Sequence, residues 1–179
     1  GEEFGRRVLG SANPSVRQAA YNFLGRAALS CPEVLAGCPA RLARQVVGCF
    51  AERDRGCCRP VLEMAIAVNK GAAGVWGGVD PAKAFWPPFH DFLRSGCRGD
   101  GLGAYNAILP LLSTLPPQAW EGAAGGGEES LEILLRTLRC LLEGAAGNAQ
   151  IAQAGGACFA ECLLYFVFKA QDLAGACLG

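Results

Sequence analysis

The residues with chemistry to offer are one histidine, ten cysteines, two glycine-rich runs and a group of arginines. His90 is the only histidine, and Asp91 follows it. An imidazole beside a carboxylate is the start of a general base. No motif brings a serine or cysteine to it, and catalysis needs a constellation rather than one group. His90 therefore reads as a half-buried helix residue. The cysteine spacings Cys31–Cys38, Cys49–Cys57 and Cys158–Cys162 lack the paired C-x2-C knuckles of a structural zinc site. Cys158 and Cys162 lie one helical turn apart, as two ligands would, but no second pair completes a site. Cys57 and Cys58 look like an exposed pair that could oxidise, but the favoured reading is a tolerated loop composition. The runs 71–78 and 122–127 have no following Lys-Ser or Lys-Thr and no preceding strand, so they read as flexible linkers rather than phosphate loops. Arg41, Arg44, Arg53, Arg55 and Arg59 gather around one helix end and loop, where an RNA contact is conceivable. Glu52 and Asp54, interspersed among them, favour a solvated loop. No catalytic, cofactor-binding or metal-binding residue is assigned.

Bulk properties narrow the class. The chain has 179 residues, 51% of them apolar, enough for a sizeable core. Sixteen basic residues balance sixteen acidic ones, so no global field argues for nucleic acid or a membrane surface. No sequence-specific nucleic-acid binding is expected. The best candidate for a membrane span, residues 158–168, contains Glu161 and falls short of the roughly 18 apolar residues required. There is no secretory signal, and a start at Gly1 without methionine suggests a piece of something longer. Most cysteines fall at core positions of amphipathic helices. They are expected to be reduced, buried thiols of a cytosolic protein, because free cysteine packs as a small hydrophobe.

The elements that must position these residues are helical. Asn13 and Pro14 open a helix over 14–29, with Val16, Ala20, Phe23, Leu24 and Ala27 as its apolar face. Ser30 to Glu33 has capping-box spacing and opens a short turn ending at Gly37. Pro39 starts a helix with Leu42, Val46, Cys49 and Phe50 on one stripe. A charged loop over 52–59 follows, then a helix from Pro60 to about Gly71. Asp80-Pro81 starts another, with Phe85, Phe89, Phe92 and Leu93 on one face; Pro87 and Pro88 should kink or split it. After the turn of Gly96, Gly99 and Gly101, a helix carries Tyr105, Ile108, Leu109 and Leu112, bends at Pro110 and stops at Pro116-Pro117. From Glu128 the stripe Leu131, Leu134, Leu135, Leu138, Leu141 and Leu142 has 3.6-residue spacing. Glu132–Arg136 and Arg139–Glu143 form i,i+4 pairs on the other side. The last helix covers about 149–173 and is apolar nearly all round from Cys158 to Phe168. Such a helix suits an inner layer, or an end that packs on a further repeat. The pattern is all-α: about seven helices in a HEAT/armadillo-like helical-repeat solenoid, one segment over 1–179 with a flexible linker near 122–127.

Several phrases share their order and spacing with one family. They are Asn13-Pro14-x-Val16-Arg17-x-Ala19, Val75-Trp76, Phe92-Leu93-Arg94-x-Gly96-Cys97-Arg98-Gly99, Tyr105-x-x-Ile108-Leu109-Pro110-Leu111-Leu112, and Ala157-Cys158-Phe159-Ala160-Glu161-Cys162-Leu163. Over roughly 13–173 the chain resembles the N-terminal solenoid of the listerin family, RING-type E3 ubiquitin ligases of ribosome-associated quality control. The resemblance implies a scaffold or binding role on 60S subunits carrying stalled nascent chains, together with the nuclear export mediator factor. It implies a non-catalytic segment, because the family's zinc-binding RING pattern is missing from this sequence. Zinc, the ubiquitin-conjugating enzyme (E2) and ubiquitin would be engaged only through that RING. Two rivals remain: a HEAT-type adaptor of another kind, such as a transport-receptor fragment, and a small metal- or thiol-dependent enzyme suggested only by the cysteine count.

Overall fold

The computed structural model describes residues 2–96, 101–120, 128–145 and 149–176. Its helices are α1 (Glu2–Leu9), α2 (Pro14–Ser30), α3 (Pro32–Leu35), α4 (Pro39–Gly48), α5 (Cys58–Gly71), α6 (Pro81–Asp91), α7 (Gly101–Thr114), α8 (Glu128–Gly144) and α9 (Ala149–Ala176). No strand occurs among the described residues. The starts follow local chemistry. Asn13 is extended, and its Oδ1 accepts from the Ser15 N–H at 2.9 Å, with Pro14 in the first turn. Asp80 caps α6 by accepting from the Lys83 N–H at 3.3 Å.

The helices stack in two rows. One row runs α2, α5, α7, α9, each packed on the next; the other runs α4, α6, α8. This alternation is that of successive helix pairs in a repeat stack. An aromatic cluster fills the space between rows. The Phe50 ring lies 5.5 Å from Phe85, 5.4 Å from Phe89 and 5.6 Å from Phe92, mostly in edge or tilted geometry. The Trp86 Nε1–H donates to the Ala119 carbonyl at 2.6 Å, which anchors the turn after α7.

Several expectations are corrected. On α2 the buried residues are Ala20, Tyr21, Gly25 and Ala28, whereas Val16 is 39% and Phe23 59% exposed. Close backbone approach sets this face: a Cβ on Gly71 of α5 would lie 2.0 Å from the Ala28 carbonyl oxygen. Small residues outrank large ones where two helices touch backbone to backbone. On α8, Thr137, Leu138, Cys140 and Leu141 are buried, but Leu135 and Leu142 are exposed. The apolar stripe is wider than the surface available to cover it. The Leu131 side chain lies outside the described residues.

Helix α6 is neither split nor ended by Pro87 and Pro88. Interior proline costs about 3 kcal/mol, and the buried Phe85, Trp86 and Phe89 on either side of the pair outweigh it. A π-helical turn, Phe92–Gly96, follows. Helix α7 likewise continues through Pro110, which is exposed. Residues 73–78 are a packed 3-10 turn with Val75 and Trp76 buried, rather than a linker. The Trp76 Nε1–H donates to Asn69 Oδ1 at 3.0 Å. The expected linker at 122–127 falls outside the described residues. Helix α1, not anticipated, packs on α2. The apolar run of α9 is also longer than expected. Over Ala149–Phe168 it is long and apolar enough to cross a membrane by length and composition. In the fold it packs on α7 and α8, burying Gly155, Cys158, Cys162 and Phe166, while Leu163, Leu164, Val167 and Phe168 are exposed.

Candidate binding cleft around Glu52

Three elements meet around the one stretch expected to be a solvated loop. The 3-10 turn Cys49–Ala51 ends α4 and delivers Glu52 beneath the start of α2. There Glu52 is 7% exposed. Its Oε2 accepts from Arg17 Nε at 2.7 Å and from the Tyr21 hydroxyl at 2.7 Å. Its Oε1 accepts from Arg17 Nη2 and from the backbone N–H groups of Arg53 and Asp54, each at 2.9 Å. A carboxylate so fully hydrogen-bonded stays charged. Burial alone would push its pKa up; Arg17, the Asp54 N–H, Tyr21 and the Arg53 N–H together hold it at about 2. Arg17 also donates through Nη1 to the carbonyls of Ser11 and Ala12. Its guanidinium is held above the ordinary range, chiefly by the hydrogen bond to Glu52. Burial, then the bond to Glu52, pushes the Tyr21 phenol up.

Sequence reasoning missed this cluster. Its signal was present in Arg17, placed in the first turn of α2 where it can reach a neighbouring helix, but Glu52 was assigned to solvent from its charged neighbours. The cysteines around it are structural. Cys57 and Cys58, expected to be exposed, are 1% and 0% exposed. Their thiols reach the carbonyls of Pro14 and Asp54, each at 3.3 Å. Burial, with Glu52 nearby, pushes Cys49 up to about 12 and also raises Cys57. These are poor nucleophiles and poor metal ligands, since both chemistries need the thiolate.

Above Glu52 lies a cleft of about 1020 Å³ between α1, α2, α4 and the 49–54 turn. Four arginines line it, Arg17, Arg41, Arg44 and Arg53, against two carboxylates, Glu52 and Asp54. Arg17 is fully engaged. Arg53 donates to the carbonyls of Phe50 and Glu52 and pairs with Asp91. Among the described residues, Arg44 makes only a bond from Nε to the carbonyl of Ala40, one turn back. Arg41 Nη2 is buried and has no hydrogen-bond partner among the described residues. Of the arginines that the sequence grouped, Arg41, Arg44 and Arg53 therefore converge on the cleft. Arg59 instead pairs with Glu63 along α5, and Arg55 does not line the cleft.

The other sequence candidates stay apart. His90 is 4% exposed rather than half-buried. The Thr137 hydroxyl donates to the Ile133 carbonyl at 2.8 Å, which leaves its oxygen to accept from His90 Nε2 at 2.7 Å. Burial first, then Arg136 and Arg94, lowers the His90 pKa to about 4. His90 is thus a neutral strut between α6 and α8. The Cys158 and Cys162 sulfurs are 4.0 Å apart and buried. Among the described residues no group of three or more His, Cys, Asp or Glu is placed to hold a metal ion.

The cleft and helices α1 to α7 fall within a known domain. The sequence profile described as "E3 ubiquitin-protein ligase listerin, N-terminal domain" matches residues 2–115. The chain belongs to the listerin family. That match spans α1 to α7, so both walls of the Glu52 cleft are part of the listerin N-terminal domain. The chain is also similar to the E3 ubiquitin-protein ligase listerin of Gallus gallus, 23% identical over 166 residues. The similarity covers 90% of this chain but only 9% of that relative. No solved structure matches. Membership of the listerin family decides against the transport-receptor reading.

Proposed function

We propose that this chain is a non-catalytic binding segment of a listerin-like E3 ubiquitin ligase. In this reading it acts in the cytosol on 60S subunits that carry stalled nascent chains, alongside the nuclear export mediator factor. The observation that carries the proposal is the listerin N-terminal-domain match over residues 2–115. Ubiquitin transfer, with its E2 and zinc, belongs in this reading to the family's RING, whose cysteine and histidine pattern this sequence does not carry.

Row geometry fits a continuing solenoid. Helix α9 closes the first row with Leu164 58% and Phe168 62% exposed, an apolar flank of the kind a further helix pair covers. The chain spans 9% of the relative it matches, so the intact relative has ample length for such a pair. The test is co-sedimentation of the chain with purified 60S subunits bearing peptidyl-tRNA, with and without the nuclear export mediator factor. The chain should travel with the 60S peak. Sedimentation at the top of the gradient under both conditions would remove the ribosomal role.

A further inference from the structure

The Glu52 cleft has a charge arrangement that its own residues do not complete. Glu52 is saturated by five hydrogen bonds, and Arg17 is spent on it. Arg41 and Arg44 are not spent. No ion pair or hydrogen bond holds the Arg41 guanidinium to any described residue, and its Nη2 is shut off from water. A donor on a charged group, buried without a partner, is destabilising unless an acceptor arrives. Arg44 stands beside it, with only a backbone contact among the described residues.

Spacing selects the acceptor. Residues three apart on a helix have Cβ atoms roughly 5–6 Å apart. In an extended peptide, alternate residues share a face and lie roughly 6.6–6.8 Å apart. Two glutamates separated by one residue therefore present carboxylates in register with Arg41 and Arg44. Arginine favours planar, bidentate carboxylates. The cleft's volume of about 1020 Å³ suits a short peptide stretch. A nucleic-acid backbone fits less well. It rewards a continuous basic track, whereas this cleft carries Glu52 and Asp54 and the chain has no net charge.

We propose that the cleft between α1, α2 and α4 is a docking site for an extended acidic peptide of Glu-x-Glu type, read by Arg41 and Arg44. The inference uses no part of the ribosomal reading and stands or falls separately. The probe is a fluorescein-labelled peptide of four Glu-Gly repeats, followed by anisotropy at low salt, beside its Gln-Gly counterpart and a labelled 12-nucleotide RNA. The Glu peptide should bind, and the Gln peptide should bind at least about tenfold more weakly, as expected for charge-assisted hydrogen bonds. Arg41→Gln and Arg44→Gln should each weaken the Glu peptide by a similar factor. Neither arginine forms an ion pair with a described residue, so unchanged helical signal and melting serve as the folding check. Arg139→Gln, which removes an exposed cation on α8, should leave binding unchanged. Equal binding of the Glu and Gln peptides, binding indifferent to both cleft variants, binding of RNA but not peptide, or no peptide binding at all would each overturn the proposal.

Discussion

Arg17 and Glu52, 35 residues apart, are joined by two charge-assisted hydrogen bonds of 2.7 and 2.9 Å. The pair ties the first helix of one row to the turn that ends the first helix of the other. Glu52→Gln leaves Arg17 as a half-buried cation without its partner. Loss of one member of a buried pair costs about 3 kcal/mol or more, and urea unfolding at pH 7 should show it. The same pair makes stability depend on acid. The Glu52 pKa is lower folded, at about 2, than its ordinary value of 4.5. Its contribution is therefore complete above about pH 4.5 and drains away as pH falls toward 2. The difference in stability between wild type and Glu52→Gln should shrink across that window. A constant difference would mean that the carboxylate is not preferentially charged in the fold.

His90 governs a higher window with the same sign. Its pKa is lowered from 6.5 to about 4 by burial, then by Arg136 and Arg94. A histidine neutral in the fold and protonated on unfolding withdraws stability as pH drops from 6.5 to 4. The linkage amounts to about 3 kcal/mol. His90→Gln can keep a hydrogen bond to Thr137 but cannot titrate. Its unfolding free energy should be flatter than wild type between pH 6.5 and 4, and parallel to it above 7.

Helix α8 offers a paired test of packing. Leu138 is 3% exposed and Leu135 is 56% exposed. Leu138→Ala should destabilise by about 2–5 kcal/mol, while Leu135→Ala should stay within about 0.5 kcal/mol. Chemical denaturation of both variants checks the rotation of the helix. Equal losses would place both leucines in the core.

Thiol accessibility tests the cysteine assignment. Cys31 and Cys38 are exposed, whereas Cys49, Cys57, Cys58, Cys140, Cys158 and Cys162 are buried. Brief alkylation of the native protein, mapped by mass spectrometry, should modify the first two and spare the other six. Rapid modification of Cys57 or Cys58 would return them to the exposed loop that their sequence neighbourhood suggested.

What was legible in the sequence follows from which physical signals are local. Caps are local: Asn13-Pro14 and Asp80-Pro81 start α2 and α6 as read. The all-helical class and the aromatic face of Phe85, Phe89 and Phe92 were equally plain from periodicity. Rotation of a helix about its axis is set by its neighbours. Val16 and Phe23 looked like core because they are apolar, yet Gly25 and Ala28 take that face because only small side chains let α5 approach. Glu52 was illegible for a related reason. A glutamate among arginines looks solvated until the fold brings Arg17 and Tyr21 to it from another helix. The cleft that Arg41 and Arg44 line was not legible, because one of its walls is α1, a helix that the sequence reading did not anticipate.

The proposed binding role without catalysis is tested most directly by competition. A translation extract containing the full-length ligase and a stalled, labelled nascent chain would receive this chain in increasing excess, and nascent-chain ubiquitylation would be followed on gels. A segment that occupies the ligase's place on the 60S particle but carries no RING should reduce ubiquitylation severalfold, with half-loss near its own affinity for the particle. Undiminished ubiquitylation at saturating excess of the folded chain would contradict the account.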